Sequence, residues 1–149
     1  MPNVKYPISW PVFASEPYLV EIGDDSIISF NTTFITHDGS LHNFKKFLDE
    51  KDRKTLVTLG KIKIGKNCFI GCNSILLPDV TIGDNSIIGA GSIVTKNIPE
   101  GEVWAGCPAK FVKKTSELAQ KCLSFSKTQE AKDIYKLYLD GYKQYIEAQ

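Results

Sequence analysis

The chain contains two histidines, His37 and His42. An imidazole, with an ordinary pKa of about 6.5, is the side chain best suited to take up a proton at neutral pH. His37 follows Phe34-Ile35-Thr36, where a regular pattern stops and a long irregular segment begins. A side chain at that place can face a cleft between the regular part of the fold and the irregular segment, which makes His37 a candidate base. A packed or solvated histidine is the alternative.

Cysteines are the other reactive side chains of the chain, at positions 68, 72, 107 and 122. They are too few and too irregularly spaced for a disulfide framework. Cys68 and Cys72 occupy positions of the regular pattern that require small residues, so both are predicted to be reduced and structural. A zinc site built on them lacks further ligands at a suitable spacing, and no metal ion is expected.

The length and composition limit the classes of protein to which the chain can belong. A length of 149 residues predicts one domain of ordinary size with a small appendage. The net charge of +1 offers no electrostatic case for nucleic acid. No apolar run approaches the roughly 18 residues that span a bilayer, and no charged-then-apolar start indicates a signal peptide. A cytoplasmic protein without a membrane span is therefore expected.

The regular pattern has a period of six residues and is clearest from Ile64 to Pro99. An aliphatic residue opens each of six consecutive hexads, at Ile64, Ile70, Leu76, Ile82, Ile88 and Val94. Glycine follows it in four of them, and the fifth position is always small or β-branched. The same pattern is present earlier, from Ile22 to His37. This period fits neither an α-helix nor a two-sided strand, so it indicates a repeating architecture.

Short strands of this kind predict an all-β solenoid. Each opening aliphatic residue points inward, and glycine with Asn or Asp supplies a turn of positive φ. Three faces close one coil, and stacked coils bury an aliphatic column. The hexads resemble the left-handed parallel β-helix of the hexapeptide-repeat acyltransferases. The left hand is implied by this resemblance alone, since parallel crossovers are otherwise right-handed. A Val/Ile-rich β-sandwich is the alternative fold.

Other segments flank or interrupt the solenoid. Residues 1–15, rich in proline and aromatic residues, predict an extended N-terminal arm. The β-helix is expected over 16–113, with an excursion loop at about 38–60 that carries a highly charged run. Its last part, 102–114, is predicted to begin extended and to end basic. Helices are expected over 116–123 and 128–147, which makes residues 114–149 a helical tail.

Three motifs make the resemblance to the hexapeptide-repeat acyltransferases more specific. They are the segment Phe34–Ser40 before the excursion, the hexads Ile82–Pro99, and Ala105-Gly106-Cys107-Pro108-Ala109. Over roughly residues 16–113 the chain resembles the galactoside and maltose acetyltransferases. In Thr36-His37-Asp38-Gly39-Ser40 it is more similar to acetyltransferases of bacterial surface-polysaccharide clusters. The resemblance implies an acetyl-CoA-dependent O-acetyltransferase whose acceptor is a sugar hydroxyl of a surface polysaccharide or its precursor.

The same resemblance implies roles for individual residues. His37 matches the general base, a role that contributes about 10² to 10⁴ in rate. Asp38, His42 and Phe69 are assigned to substrate binding, and a merely solvent-exposed His42 is an equal alternative. Phe69 stands where relatives often carry Trp, which preserves an aromatic wall but removes an indole N–H donor.

The acyl donor is implied to lie in a groove between two solenoids of a homotrimer. Small residues at the corners leave backbone amides open to pantetheine, and lysines meet the CoA phosphates. The matching residues are Cys72, Ala90, Thr95, Lys96, Lys110 and Lys113. Lys110 replaces the arginine of many relatives and so loses bidentate geometry toward phosphate.

Three other functions compete with this hypothesis. An N-acetyltransferase acting on a nucleotide-linked amino sugar needs the same groove and the same base. A γ-type carbonic anhydrase needs three histidine ligands, and the chain has two. A non-catalytic β-helix scaffold leaves the position of His37 without a purpose. CoA binding separates the scaffold from the enzymes.

Overall fold

The computed structural model describes residues 12–13, 15–55 and 59–147, without the side chains of residues 12, 41, 42, 45 and 53–55. In these described residues, twelve short strands and three α-helices follow one another. The strands are β1 Val12–Phe13, β2 Val20–Ile22, β3 Ile27–Ile28, β4 Thr33–Phe34, β5 Ile62–Ile64, β6 Phe69–Ile70, β7 Ile75–Leu76, β8 Thr81–Ile82, β9 Ile87–Ile88, β10 Ile93–Val94, β11 Glu102–Ala105 and β12 Lys110–Lys114. The helices are α1 Glu50–Thr55, α2 Thr115–Ser126 and α3 Gln129–Glu147.

Successive strands enter three different sheets. Sheet A has the order β12-β11-β9-β6-β3, sheet B the order β1-β4-β7-β10, and sheet C the order β2-β5-β8. Every pairing within a sheet is parallel except that of β11 with β12. The chain therefore winds around a three-sided prism, and the predicted left-handed parallel β-helix is confirmed.

The core is the column of residues that open the hexads. Their exposed fractions are at most 1%, at Ile64, Ile70, Leu76, Ile82, Ile88 and Val94. Burying one such side chain contributes about 1.5–3 kcal/mol. The fifth hexad position is buried as well, and some of its hydroxyls bond to carbonyls of an adjacent coil. Ser26 Oγ donates to Gly65 O at 2.9 Å, and Ser86 Oγ donates to Pro99 O at 2.9 Å.

The role predicted for the hexad glycines needs correction. Positive φ falls two positions later in the hexad, at residues 67, 73, 79, 85 and 91, where Asn or Asp stands except for Gly91. The glycine of the second position is needed for close approach between coils. A Cβ on Gly71 would lie 2.4 Å from Ala90 N, and one on Gly83 would lie 2.4 Å from Glu100 N. Stacked coils leave no room for that atom.

Only part of the predicted N-terminal arm belongs to the described structure. Residues 1–11 and 14 lie outside it. Strand β1 pairs with β4, and the ring of Phe13 stacks on that of Phe34 at a centroid distance of 5.0 Å. A 3-10 helix, Pro17–Leu19, leads into β2.

The excursion is more regular than predicted. It contains a 3-10 helix, Gly39–Phe47, and the helix α1 within the charged run. Asp49 caps α1, because its Oδ1 accepts the backbone N–H of Asp52 at 2.8 Å. An antiparallel bridge between His37 and Leu59, together with a bond from Gly60 N to Thr36 O at 2.8 Å, closes the excursion where it began.

The end of the β-helix contains a hairpin that the sequence pattern did not predict. Residues 102–114 form the antiparallel hairpin β11–β12, with a register shift at Val103 and Trp104. Gly106, with a φ of +102°, lies between the two strands. The fold thus ends on an antiparallel strand that continues sheet A.

A second unit begins at Ser116 and contains nearly all of α2 and the whole of α3. Helix α2 extends three residues beyond its predicted end at 123, and α3 begins one residue after its predicted start at 128. Within the described part of the chain, no helix is long and apolar enough to cross a membrane.

Candidate active site

His37 lies at the corner where the chain leaves sheet B for sheet C. This corner, the BC edge, comprises residues 35–37, 77–79 and 95–97 of successive coils. Thr36 is buried, whereas the side chain of His37 is 45% exposed. The imidazole is therefore held by the wall of the solenoid and remains open to solvent on one side.

Glu16 is the partner of His37 and was not identified from the sequence. Its Oε2 lies 2.9 Å from His37 Nδ1 and accepts the hydroxyl proton of Thr36 at 2.7 Å. The side chain of Glu16 is 16% exposed. The Thr36 hydrogen bond, followed by the His37 contact, holds the pKa of Glu16 below its ordinary value. Glu16 and His37 lie 21 positions apart, and no repeat or motif in the sequence links them.

The ionised carboxylate decides which nitrogen of His37 carries the proton. A carboxylate only accepts hydrogen bonds, so Nδ1 must donate to Glu16. In the neutral ring the lone pair then lies on Nε2. The arrangement leaves one imidazole nitrogen unprotonated, which is the requirement for a general base.

Asp38 does not complete this cluster. Asp38 Oδ1 accepts the backbone N–H of Ser40 at 2.8 Å, at the start of the 3-10 helix Gly39–Phe47. That backbone bond is the main reason why the pKa of Asp38 is lowered. The backbone of His42 belongs to the same helix, and its side chain lies outside the description.

Thr95 and Lys96 share the BC edge with His37. The register Phe34↔Leu76↔Val94 places them two coils from His37, or about 10 Å along the axis. Lys96 Nζ lies 5.1 Å from the centroid of the Trp104 ring, so the ammonium is held over an aromatic face. One edge of the prism therefore carries the candidate base, a hydroxyl and a cation.

Cys72 and Ala90 lie on a different edge. They belong to the corner between sheets A and B, the AB edge, which comprises residues 29–32, 71–74 and 89–92. The bond from Gly91 N to Cys72 O, at 2.8 Å, stacks the two positions. Sheet B separates this edge from the BC edge, so one chain does not bring the two sets together.

The remaining predicted residues lie on sheet A. Phe69 is 41% exposed on its outer face, in register with Ile27 and Ile87. Lys110 and Lys113 belong to β12. Because of the register shift between them, they pair with Ala105 and Val103, which are two positions apart on β11, so the two lysines lie on the same face of the sheet. The structure therefore distributes the predicted site over two edges and one face.

The sequence and structure are similar to known transferases. The family model "Bacterial transferase hexapeptide (six repeats)" matches residues 61–96. The chain is 49% identical to protein CapG of Staphylococcus aureus over 111 residues, which are 74% of this chain and 62% of CapG.

Two solved structures show the same likeness. A maltose O-acetyltransferase from Clostridium difficile 630 is 38% identical, with a TM-score of 0.52, over 64% of this chain and 48% of its own. A mutant of AntD, an N-acyltransferase from Bacillus cereus in complex with dTDP and coenzyme A, is 26% identical, with a TM-score of 0.53, over 70% of this chain and 60% of its own.

The chain spans less than two thirds of the length of each of these three relatives. The residues matched by the family model, 61–96, lie within the β-helix described above. On the matched repeats and on this fold, the chain is similar to the hexapeptide-repeat transferases of bacteria.

Proposed function

We propose that the protein is an acetyl-CoA-dependent O-acetyltransferase acting on a sugar hydroxyl of a surface polysaccharide or its precursor. The observation that carries this proposal is the contact between His37 Nδ1 and Glu16 Oε2 at 2.9 Å, on a histidine that remains 45% exposed. Among the relatives, the maltose O-acetyltransferase acts on a sugar hydroxyl. The AntD structure contains coenzyme A.

His37 is assigned the role of general base. A sugar hydroxyl is a poor nucleophile at neutral pH, so a base must take its proton as the oxygen attacks. Nε2 of His37 accepts that proton, while the carboxylate of Glu16 stabilises the positive charge that forms on the ring. Acetyl-CoA supplies the acetyl group as a thioester. The C–O bond forms as the C–S bond breaks, and the imidazolium returns the proton to the leaving sulfur.

The residues at both edges fit the acyl donor. Cys72 is half-buried and Ala90 is exposed, so small side chains leave the backbone of the AB edge open to the pantetheine amides. Lys96 and Lys110 are exposed cations that suit phosphate. All cysteines are free in the structure, which agrees with a reducing compartment, and we assign the reaction to the cytoplasm.

A single chain supplies only part of this site, which supports a homotrimer with active sites between subunits. The base lies on the BC edge, and the small donor-binding positions lie on the AB edge. A neighbouring copy that places its AB edge beside the BC edge of the first would complete the groove.

The outer faces of the solenoid agree with this assembly. Sheet C exposes polar and charged residues, namely Glu21, Lys63 and Thr81. Sheets A and B instead present mostly apolar residues in register, namely Ile27, Phe69, Ile87, Ile75 and Ile93. Two apolar faces and one charged face are what a chain with two neighbours needs.

Transfer to an amine is the second candidate function, favoured by the likeness to the AntD N-acyltransferase. The same base and donor residues serve both reactions. A third hypothesis, a non-catalytic scaffold, requires that the protein does not bind CoA.

Thiol release from acetyl-CoA tests the proposal. Wild type is assayed with free sugars, nucleotide sugars, amino sugars and capsule-type oligosaccharides, beside His37→Ala and the control Lys63→Gln on the outer face of sheet C. We expect hydroxyl acetylation by wild type and by the control, and a loss of at least about a hundredfold in His37→Ala with CoA binding retained. Amine acetylation would select the second candidate. No turnover and no CoA binding would leave the scaffold.

A further inference from the structure

We propose that Glu16 and Thr36 are positioning residues, in which the buried hydroxyl of Thr36 anchors the carboxylate that orients His37. This inference rests on the proposed role of His37 as the base. It assigns the tautomer of His37 to two residues that act through the imidazole.

The contacts converge on one oxygen atom. Thr36 Oγ1 and His37 Nδ1 lie 2.7 Å and 2.9 Å from the same Oε2 of Glu16. Side chains of consecutive residues point to opposite sides of an extended strand. Thr36 and His37 meet at one atom because they lie at the corner where the chain turns from sheet B into the excursion. The corner thus creates a paired donor set that a straight strand lacks.

The hydroxyl of Thr36 is buried and donates to Glu16. It is 0% exposed, and burial of an unpaired hydroxyl is unfavourable. Its donor bond to Glu16 satisfies the hydroxyl and gives the carboxylate a charge-assisted partner. The same bond is the largest cause of the lowered pKa of Glu16, so Thr36 helps keep the carboxylate ionised.

Glu16 is also positioned through its backbone. Its carbonyl accepts the N–H of Leu19 at 3.0 Å, at the entry to the 3-10 helix Pro17–Leu19. The flexible glutamate side chain then needs one further contact to fix its carboxylate, because a free rotamer would lose the His37 contact part of the time. Thr36 supplies that contact.

The consequence concerns the proton on the imidazole. With Oε2 fixed, Nδ1 donates and Nε2 stays free to accept a proton from the acceptor. Without Thr36 the carboxylate can move away, and the ring can adopt the tautomer protonated at Nε2, which cannot act as the base. A partner that orients a catalytic histidine is known to act through this tautomer equilibrium.

Nitrogen-15 NMR of histidine side chains tests the proposal directly, since the chain contains two histidines and His37→Asn identifies the signals of His37. We expect the neutral ring of wild-type His37 to be protonated at Nδ1. Thr36→Val and Glu16→Gln should increase the tautomer protonated at Nε2, and Thr36→Ser should restore the wild-type signals. Unchanged tautomers in both Thr36→Val and Glu16→Gln would overturn the proposal.

Kinetics give an independent measurement. We expect kcat to fall about tenfold in Thr36→Val with the KM for acetyl-CoA unchanged, and to recover to within about twofold in Thr36→Ser. A fall in kcat without a tautomer change would indicate a structural role and contradict the proposal. If Thr36→Val fails to fold, Glu16→Gln decides the question by NMR. The tautomer needs no substrate, so an absence of turnover would count against the proposed function and not against this inference.

Discussion

Nδ1 of His37 lies 2.9 Å from Oε2 of Glu16, although the two residues are 21 positions apart in the chain. Strand β1 brings them together, because it pairs with β4 and stacks Phe13 on Phe34. Glu16, between β1 and β2, then reaches the BC edge with its carboxylate. Glu16 is therefore part of the candidate site.

Removing the carboxylate of Glu16 should have a larger effect on kcat than on the thermal stability of the fold. We expect Glu16→Ala to reduce kcat by about ten- to a hundredfold, since the ring loses the partner that orients it. Glu21→Ala removes an exposed carboxylate that pairs with Lys61, and it should retain wild-type kcat. Parallel thiol-release assays and thermal melts measure both effects. Equal activity in the two variants would contradict the role of Glu16.

The aliphatic column should dominate stability. Ile88 is 0% exposed in the central coil, so Ile88→Ala is expected to cost about 2–5 kcal/mol of unfolding free energy. Ile27, 38% exposed on the outer face of sheet A, is the matched control, and Ile27→Ala should cost less than about 1 kcal/mol in the monomer. Urea unfolding at dilute concentration gives both values. A cost as large at Ile27 would contradict the assigned core.

Substitutions at two glycines distinguish the cost of a clash between coils from the cost of a positive φ. A Cβ on Gly71 would meet Ala90 N at 2.4 Å and the carbonyl carbon of Gly89 at 2.8 Å, so Gly71→Ala should force two coils apart. A Cβ on Gly91 would meet no atom within 4 Å apart from those of its chain neighbours. The cost of Gly91→Ala is therefore only the backbone strain of a φ of +69°, about 1–2 kcal/mol. Thermal denaturation should therefore show a greater loss for Gly71→Ala. The opposite order would refute the close-approach role.

The hairpin at the end of the β-helix should lose a stabilising contact in acid. Lys114 Nζ and Trp104 Nε1 each lie 2.7 Å from a carboxylate oxygen of Glu102, and both lower its pKa from the ordinary value of 4.5, Lys114 the more. A pKa lower in the folded than in the unfolded state stabilises the fold above the ordinary pKa. This contribution disappears as the pH falls through the lowered pKa.

Glu102→Gln measures this effect. The difference in unfolding free energy between wild type and the variant should be complete at pH 7 and should shrink below pH 4.5. Chemical denaturation at several pH values checks it. A difference that grows as the pH falls would show that the carboxylate does not carry the contact.

The apolar outer face of sheet A should be a subunit contact. We expect Phe69→Glu to shift the protein from trimer to monomer, because a charge would be buried among apolar groups. Lys63→Glu on sheet C should leave the trimer intact. Sedimentation velocity measures the assembly, and circular dichroism confirms that the coils remain folded. A Phe69→Glu trimer would place the interface elsewhere.

The hexad period was sufficient to predict the all-β solenoid and its inward aliphatic column, and helical spacing predicted the approximate bounds of the two C-terminal helices. A repeat of six converts directly into strand, turn and coil, because each hexad contributes the same local geometry. The place of His37 at a corner beside the excursion followed from the same register. These features depend on neighbours in sequence.

Contacts between distant segments were decided by the tertiary structure. The pairing of Glu16 with His37 depends on where β1 packs, and no period in the sequence reports that packing. The separation of Cys72 and Ala90 from Thr95 and Lys96 depends on which corner of a three-sided coil each residue occupies. Close approach at Gly71 depends on the coil that lies against it. Local patterns specify a coil, whereas the neighbours of each side chain are determined only when the coils stack and the flanking segments pack on them.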